Sequence, residues 1–198
     1  MKVRLYVEGG PIGYADGLRL FKNNFKQHLL KLEKAPNTLD VSPCGSTEQA
    51  IKDFARAAKE RGTDWVLALL VDADAEVTTP TPAHYLASKL DAANVPHDVR
   101  KNIFLMVQCM ESWFVTDKNA VEKCYGARAK IKLPANTNIE AVPKADVFAA
   151  LNEAAKGTPA KRYHKVRDAV KILAVLQPGI VASRSSRAKE LHDFLRDQ

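Results

Sequence analysis

The strongest constraint on this chain is a run of six apolar residues, Val66-Leu67-Ala68-Leu69-Leu70-Val71, that ends abruptly in Asp72-Ala73-Asp74-Ala75-Glu76. The run is too short for a helix but suits a strand buried on both faces, the environment of a parallel sheet covered by helices. Asp72 and Asp74 then fall at the strand's carboxyl end, the edge at which ligands bind in open α/β sheets. Alternate residues of an extended chain point the same way, so the spacing predicts two carboxylates converging on one hard cation. The same residues also suit a plainer role, with Asp72 as a turn or N-cap residue and Asp74 as a solvated charge.

The flanking sequence repeats this pattern. Val3-Arg4-Leu5-Tyr6-Val7 reads as a first strand that delivers Glu8 to a turn formed by Gly9-Gly10-Pro11-Ile12-Gly13. The turn matches neither the dinucleotide fingerprint nor a phosphate-binding loop ending in Gly-Lys-Ser or Gly-Lys-Thr. With Asp16 as cap, Leu18, Phe21, Phe25, Leu29 and Leu32 recur at helical spacing to about Glu33. A short strand follows at 39–43, and Ser46-Thr47-Glu48-Gln49 caps a helix that Gly62 stops after Arg61. Prolines 80 and 82 precede a helix over 83–93, and Ile103-Phe104-Leu105-Met106-Val107 supplies a fourth strand. Gln108 to Asp117 then opens a helix to about Tyr125, placing Glu111 at the same edge as Glu8 and the Asp pair, with Asp117 exposed. Strands alternating with helices predict a three-layer α/β architecture over 1–125 with a mainly parallel four-stranded sheet.

Beyond Ala127 come a loop containing Pro134 and Pro143 and three helices near 144–156, 163–176 and 183–196, divided by Gly157-Thr158-Pro159 and Gln177-Pro178-Gly179. This 126–198 extension is basic. Residues 118–198 carry 16 Lys and Arg against 8 Asp and Glu, a net +8, whereas residues 1–117 carry 14 against 15, a net −1. An acidic core joined to a basic extension suits a partner made of phosphates, since lysine and arginine displace its counterions. Lys161, Arg162 and Lys165 are candidate nucleic-acid contacts. Arg184 and Arg187, set among Ser183, Ser185 and Ser186 at a helix start, are candidates too, although an ordinary serine cap with exposed arginines accounts for the same residues somewhat better. His164 and His192 carry no ligand role.

Cys44, Cys109 and Cys124 lack the close pairing of zinc sites or disulfide frameworks and read as reduced thiols. The apolar runs are far shorter than the roughly 18 residues of a membrane helix, and the start of the sequence lacks a signal peptide's apolar region, so the expectation is a cytoplasmic protein.

Val7-Glu8-Gly9, Val71-Asp72-Ala73-Asp74 and Met110-Glu111-Ser112-Trp113-Phe114, in that order, resemble the Toprim fold. Within it, the chain is similar to small, largely uncharacterised bacterial proteins often encoded beside ATPases in mobile or phage-defence loci. The closing helices, from Lys165 to Leu195, are similar to theirs. The resemblance implies a metal-dependent nuclease in which Asp72 and Asp74 hold Mg²⁺ or Mn²⁺. Glu8 would move a proton or join the metal shell, and Glu111 would complete it or hold a second ion. Such chemistry uses hard oxygen ligands without histidine or cysteine.

Two features depart from the family pattern. Pro11, Ile12 and Gly13 follow Glu8-Gly9 where another acid is usual, and Ala75-Glu76 follow the Asp pair where glycine is usual. Glu76 is therefore a candidate replacement carboxylate. The departures also support a non-catalytic module that binds nucleic acid or protein. A third reading is a nucleotide-sugar glycosyltransferase using Asp72-x-Asp74 on a metal-bound diphosphate.

Overall fold

The computed structural model describes residues 1–10, 15–60, 64–126, 129, 131–132 and 134–198. Pro11, Ile12 and Gly13 of the expected turn, the helix end at Arg61, its stop at Gly62 and the start of the loop at Ala127 lie outside them.

Four parallel strands, β1 (Lys2–Val7), β2 (Thr38–Pro43), β3 (Trp65–Asp72) and β4 (Ile103–Met106), form one sheet in the order β2-β1-β3-β4. Register pairs Val7 with Leu70 and Asp72 with Met106, so the carboxyl ends of β1, β3 and β4 lie side by side. The apolar run at the centre of the sequence is thus an inner strand. Ala68 and Leu70 belong to one buried cluster, while Leu67, Leu69 and Val71 belong to a second on the opposite face. That split follows from the two-residue side-chain period of a strand and explains why the run is continuously apolar.

The helices form the outer layers. Helix α1 (Ala15–Leu30) lies in the first cluster through Phe21, Phe25 and Leu29, and α2 (Thr47–Lys59) lies in the second through Ile51 and Phe54. Phe25 and Phe54 are fully buried, and each such side chain contributes about 1.5–3 kcal/mol by leaving water. Ser46 caps α2 by accepting from the Gln49 N–H, as its sequence predicts. At α1 two details differ. Asp16 sits in the first turn rather than at the cap, and Leu18 is exposed, because the core stripe starts only at Phe21.

The segment expected as one helix over 83–93 is two short ones, α3 (Pro82–Tyr85) and α4 (Ala87–Ala92), meeting at Leu86. The one expected after β4 is also divided, into α5 (Met110–Phe114) and α6 (Lys118–Tyr125). The cause of the second break is Asp117. It is buried, not exposed: its carboxylate accepts the Ala120 N–H as the cap of α6 and also the Gln177 N–H from the extension. An apolar neighbourhood tolerates that charge because both bonds satisfy it.

The extension contains α7 (Lys144–Ala155), α8 (Arg167–Val175), α9 (Pro178–Arg184) and α10 (Ser186–Arg196). The chain breaks between helices at Leu176 and Gln177, as expected, and Pro178 itself opens α9, where its missing N–H costs nothing. The helix expected over 183–196 divides at Ser185, which ends α9 and caps α10 through the Ala188 N–H. These helices pack on the sheet and on α1. Phe194 meets Phe104 of β4 at 5.0 Å, and Asn24 and His28 of α1, with Lys31 just beyond its end, bond to backbone oxygens of Val170, Ala174 and Leu176 in and just beyond α8. One buried cluster accordingly runs from Val3 to Leu195.

Candidate active site

The strand order reverses between β1 and β3, since β2 lies on one side of β1 and β3 on the other. A crevice opens at such a point beyond the strands' carboxyl ends. Here it is a cavity of about 170 Å³ lined by Glu8, Asp72 and Glu111 together with Lys165, and by the apolar Phe21, Met110 and Val170.

Each carboxylate reaches the cavity by a local device. Glu8 follows β1 directly, and its N–H donates to Leu70 O at 2.9 Å. Its Oε2 accepts from the Thr47 hydroxyl at 2.7 Å and from the Asp72 N–H at 3.0 Å. The next two residues need positive φ, Gly9 at 116° and Gly10 at 97°. A Cβ on Gly10 would stand 2.9 Å from Leu18 Cδ1 and 3.2 Å from Pro43 Cβ, so glycine is required by both backbone and space. Asp72 ends β3 and accepts the Met110 N–H, at the start of α5, through Oδ1 at 2.9 Å. Burial raises its pKa well above the usual carboxylate range, and the nearby charges of Glu8 and Glu111 raise it further against the opposing Lys144 and Lys165.

Glu111 is completely buried on α5. Its Oε1 accepts from the Tyr163 hydroxyl at 3.1 Å, while Oε2 has no partner among the described residues. Burial, followed by the Glu111 charge, raises the Tyr163 pKa, so the phenol remains a proton donor in this bond. Cys109 stands nearby, and burial together with Glu111 and Asp72 pushes its thiol up to about 12, which keeps it protonated and weakly nucleophilic at neutral pH.

Asp74 is placed differently from the sequence expectation. The strand ends at Asp72, and Asp74 lies in the left-handed region at φ 62°, its N–H donating to Gln108 O at 2.7 Å. The alternation that aligns residues two apart therefore stops before Asp74. Its exposed carboxylate pairs with Lys144 instead and does not line the cavity. Glu76 is exposed and also outside the lining.

The basic candidates divide in two. Lys161, Arg162 and Lys165 are exposed on the chain between α7 and α8, around the inward-turned Tyr163. Arg184 and Arg187 are engaged inside the chain. Arg184 donates to the carbonyls of Pro134, Asn136 and Thr137, and Arg187 to Glu190 and to the carbonyls of Thr79 and Pro80. The serine-rich helix start holds an anion from the protein itself: Glu140 accepts from the Ser185 and Ser186 hydroxyls and the Arg187 N–H at 2.7–2.9 Å.

Three residues at or beside the site carry no sequence signal of that role. Thr47 lies inside an ordinary capping motif and Lys144 in a helix start, while Tyr163 stands at the start of the helix expected over 163–176, which begins only at Arg167 and leaves Tyr163 on the irregular stretch before it. Among the described residues no three His, Cys, Asp or Glu side chains are gathered as a metal site. A magnesium ion does not require such a cage, because it is usually held by one or two carboxylates together with waters and substrate phosphates. The all-oxygen donors and the unpaired buried oxygen of Glu111 fit a hard divalent cation in that manner.

Fold and site together define an α/β protein with an acidic cavity at the carboxyl edge of a parallel sheet. Within that class, the chain belongs to the DUF4276 family, a domain of unknown function, whose model matches residues 19–196. It is similar to the C-terminal region of the Burkholderia pseudomallei OLD protein, at 14% identity and a TM-score of 0.45 over 99% of this chain and 97% of that one. No curated protein matches it. Among the described residues no helix is long and apolar enough to cross a membrane.

Proposed function

We propose that this protein is a nuclease that hydrolyses phosphodiester bonds with the help of Mg²⁺ or Mn²⁺, and that Glu8, Asp72 and Glu111 form its acidic centre. The observation that carries the reading is one cavity lined by three carboxylates, two at strand ends and one at a helix start, and by Lys165. Burial and the charges of Glu8 and Glu111 raise the pKa of Asp72, a cost a fold avoids unless a cation or proton is meant to occupy the space beside it.

In this reading Asp72 and Glu111 hold the ion. When bound, it offsets charge on the phosphate and acidifies a water molecule. Glu8, oriented by Thr47 and by the Asp72 N–H, is the residue that accepts or returns a proton. Lys165 meets a phosphate oxygen of the substrate, and Lys161 and Arg162 hold the adjoining backbone. Arg184 and Arg187 brace loops in this scheme. On the Toprim resemblance alone, we assign the activity to a defence setting and to control by an ATPase partner.

The placement of Asp74 favours a second reading, a non-catalytic module that binds nucleic acid, because the Asp-x-Asp motif brings only one of its carboxylates to the cavity. It weighs against the glycosyltransferase, whose chelated diphosphate needs both.

Calorimetric titration with Mg²⁺ and Mn²⁺, run with cleavage assays on DNA and RNA, separates these readings on the wild type and on Asp72→Ala. Ion binding and cleavage that both vanish in the variant support the nuclease. A folded wild type that binds neither ion in the presence of nucleic acid overturns it and leaves the binding module.

A further inference from the structure

We infer that Tyr163 is the positioning residue of Glu111, fixing one carboxylate oxygen through its hydroxyl so that the other is held ready for a divalent cation. This inference rests on the metal-site reading above. Glu111 is completely buried, yet among the described residues its side chain has one hydrogen bond, from Tyr163 to Oε1 at 3.1 Å, and Oε2 is buried without a partner. A carboxylate half-paired in an apolar interior is costly, and one that served only to hold the fold would be paired at both oxygens.

Tyr163 is itself held firmly. Its N–H donates to Asn152 Oδ1 at 3.1 Å, and its ring packs against Phe148 with centroids 5.9 Å apart. The next residue, His164, donates its N–H to Asp168 at 2.9 Å, and that carboxylate is fixed in turn by Tyr125 and Arg167. The phenol is therefore clamped by the backbone on both sides. The residues around it on this non-helical stretch, Lys161, Arg162, His164 and Lys165, are exposed, and only Tyr163 turns inward. Two positions later Lys165 lines the same cavity. One short segment thus presents to the site both a carboxylate-orienting donor and a cation for substrate phosphate. Donors that orient a metal-binding side chain typically change metal affinity by about 10- to 100-fold when lost.

The test is Tyr163→Phe, which removes the hydroxyl and keeps the ring against Phe148. Calorimetry with Mn²⁺ is expected to show affinity lower by about tenfold or more in a variant that still folds, with the ion-free melting temperature lowered by the loss of the bond to Glu111. Cleavage by the variant is expected to recover toward the wild-type rate at saturating Mn²⁺, which a generally deformed site would not do. Wild-type affinity in a folded Tyr163→Phe overturns the inference while leaving the nuclease reading intact. Failure of the wild type itself to bind Mn²⁺ overturns both. Should Tyr163→Phe not fold, Asn152→Ala frees the Tyr163 backbone with the hydroxyl retained, and unchanged Mn²⁺ affinity there overturns the inference.

Discussion

Replacing His192 by phenylalanine is expected to make the protein more resistant to mild acid. His28, Trp113 and His192 form a buried triangle with ring centroids 6.1–6.3 Å apart. Both histidines are fully buried, and among the described residues neither nitrogen of His192 has a partner. Burial lowers the pKa of His28 to about 3 and that of His192 to about 4, from an ordinary value of 6.5. Between those values the unfolded chain takes up protons that the folded chain refuses, so stability falls as pH falls below about 6.5. At about 1.4 kcal/mol per pH unit per group, moving from about pH 7.5 to about pH 5 costs about 2 kcal/mol through His192. Asp72 works in the opposite sense. Its raised pKa means that the folded state binds the extra proton, so acidification through that range favours folding. The comparison is therefore between variant and wild type at both pH values, by urea denaturation. The stability difference should shift by about 2 kcal/mol in favour of the variant at the lower pH, equivalent to about 4–8 °C in melting temperature for a chain of this size. A pH-independent difference refutes the reasoning, because any packing effect of the new ring is the same at both.

Glu111→Gln removes the buried charge that Tyr163 half satisfies; it should abolish Mn²⁺ binding while raising the unfolding free energy by about 1–3 kcal/mol, measured in the same denaturant series. Thr47→Val deletes the hydroxyl that donates to Glu8 and should lower the single-turnover cleavage rate more than tenfold in order of magnitude, roughly the share a positioned acid–base group supplies, with KM little changed. Lys165→Ala should raise KM for oligonucleotides and reduce the slope of log affinity against log salt by about 0.9, the loss of one phosphate contact. Asp74→Asn should leave Mn²⁺ affinity unchanged, since the carboxylate faces Lys144 and not the cavity; a loss as large as that of Asp72→Ala would show that the ion draws the turn inward.

The sheet was legible because each strand announces itself through forces local to it. A run such as Val66 to Val71 can be satisfied only between two apolar layers, and the structure sets its alternate residues into two separate clusters. Once the strands are known to be parallel, their carboxyl ends share one edge, so the neighbourhood of Glu8, Asp72 and Glu111 follows from chain direction alone. What was not legible depends on where regular geometry stops. Asp74 fails to join Asp72 because the strand ends between them, and a two-residue period predicts nothing past that point. Asp117 reads as a surface charge until the Gln177 N–H, sixty positions away, is seen to complete its bonding. Arg184, Arg187 and their serines were readable as an anion site from composition, and the anion in place is Glu140 of the same chain. The partner of a charge is thus a fact of tertiary structure, whereas the direction of a strand is a fact of pattern. Tyr163 shows the same limit: the pattern places it at the start of a helix over 163–176, whereas the helix begins at Arg167 and the bond from Tyr163 to Glu111 arises only from how the extension packs.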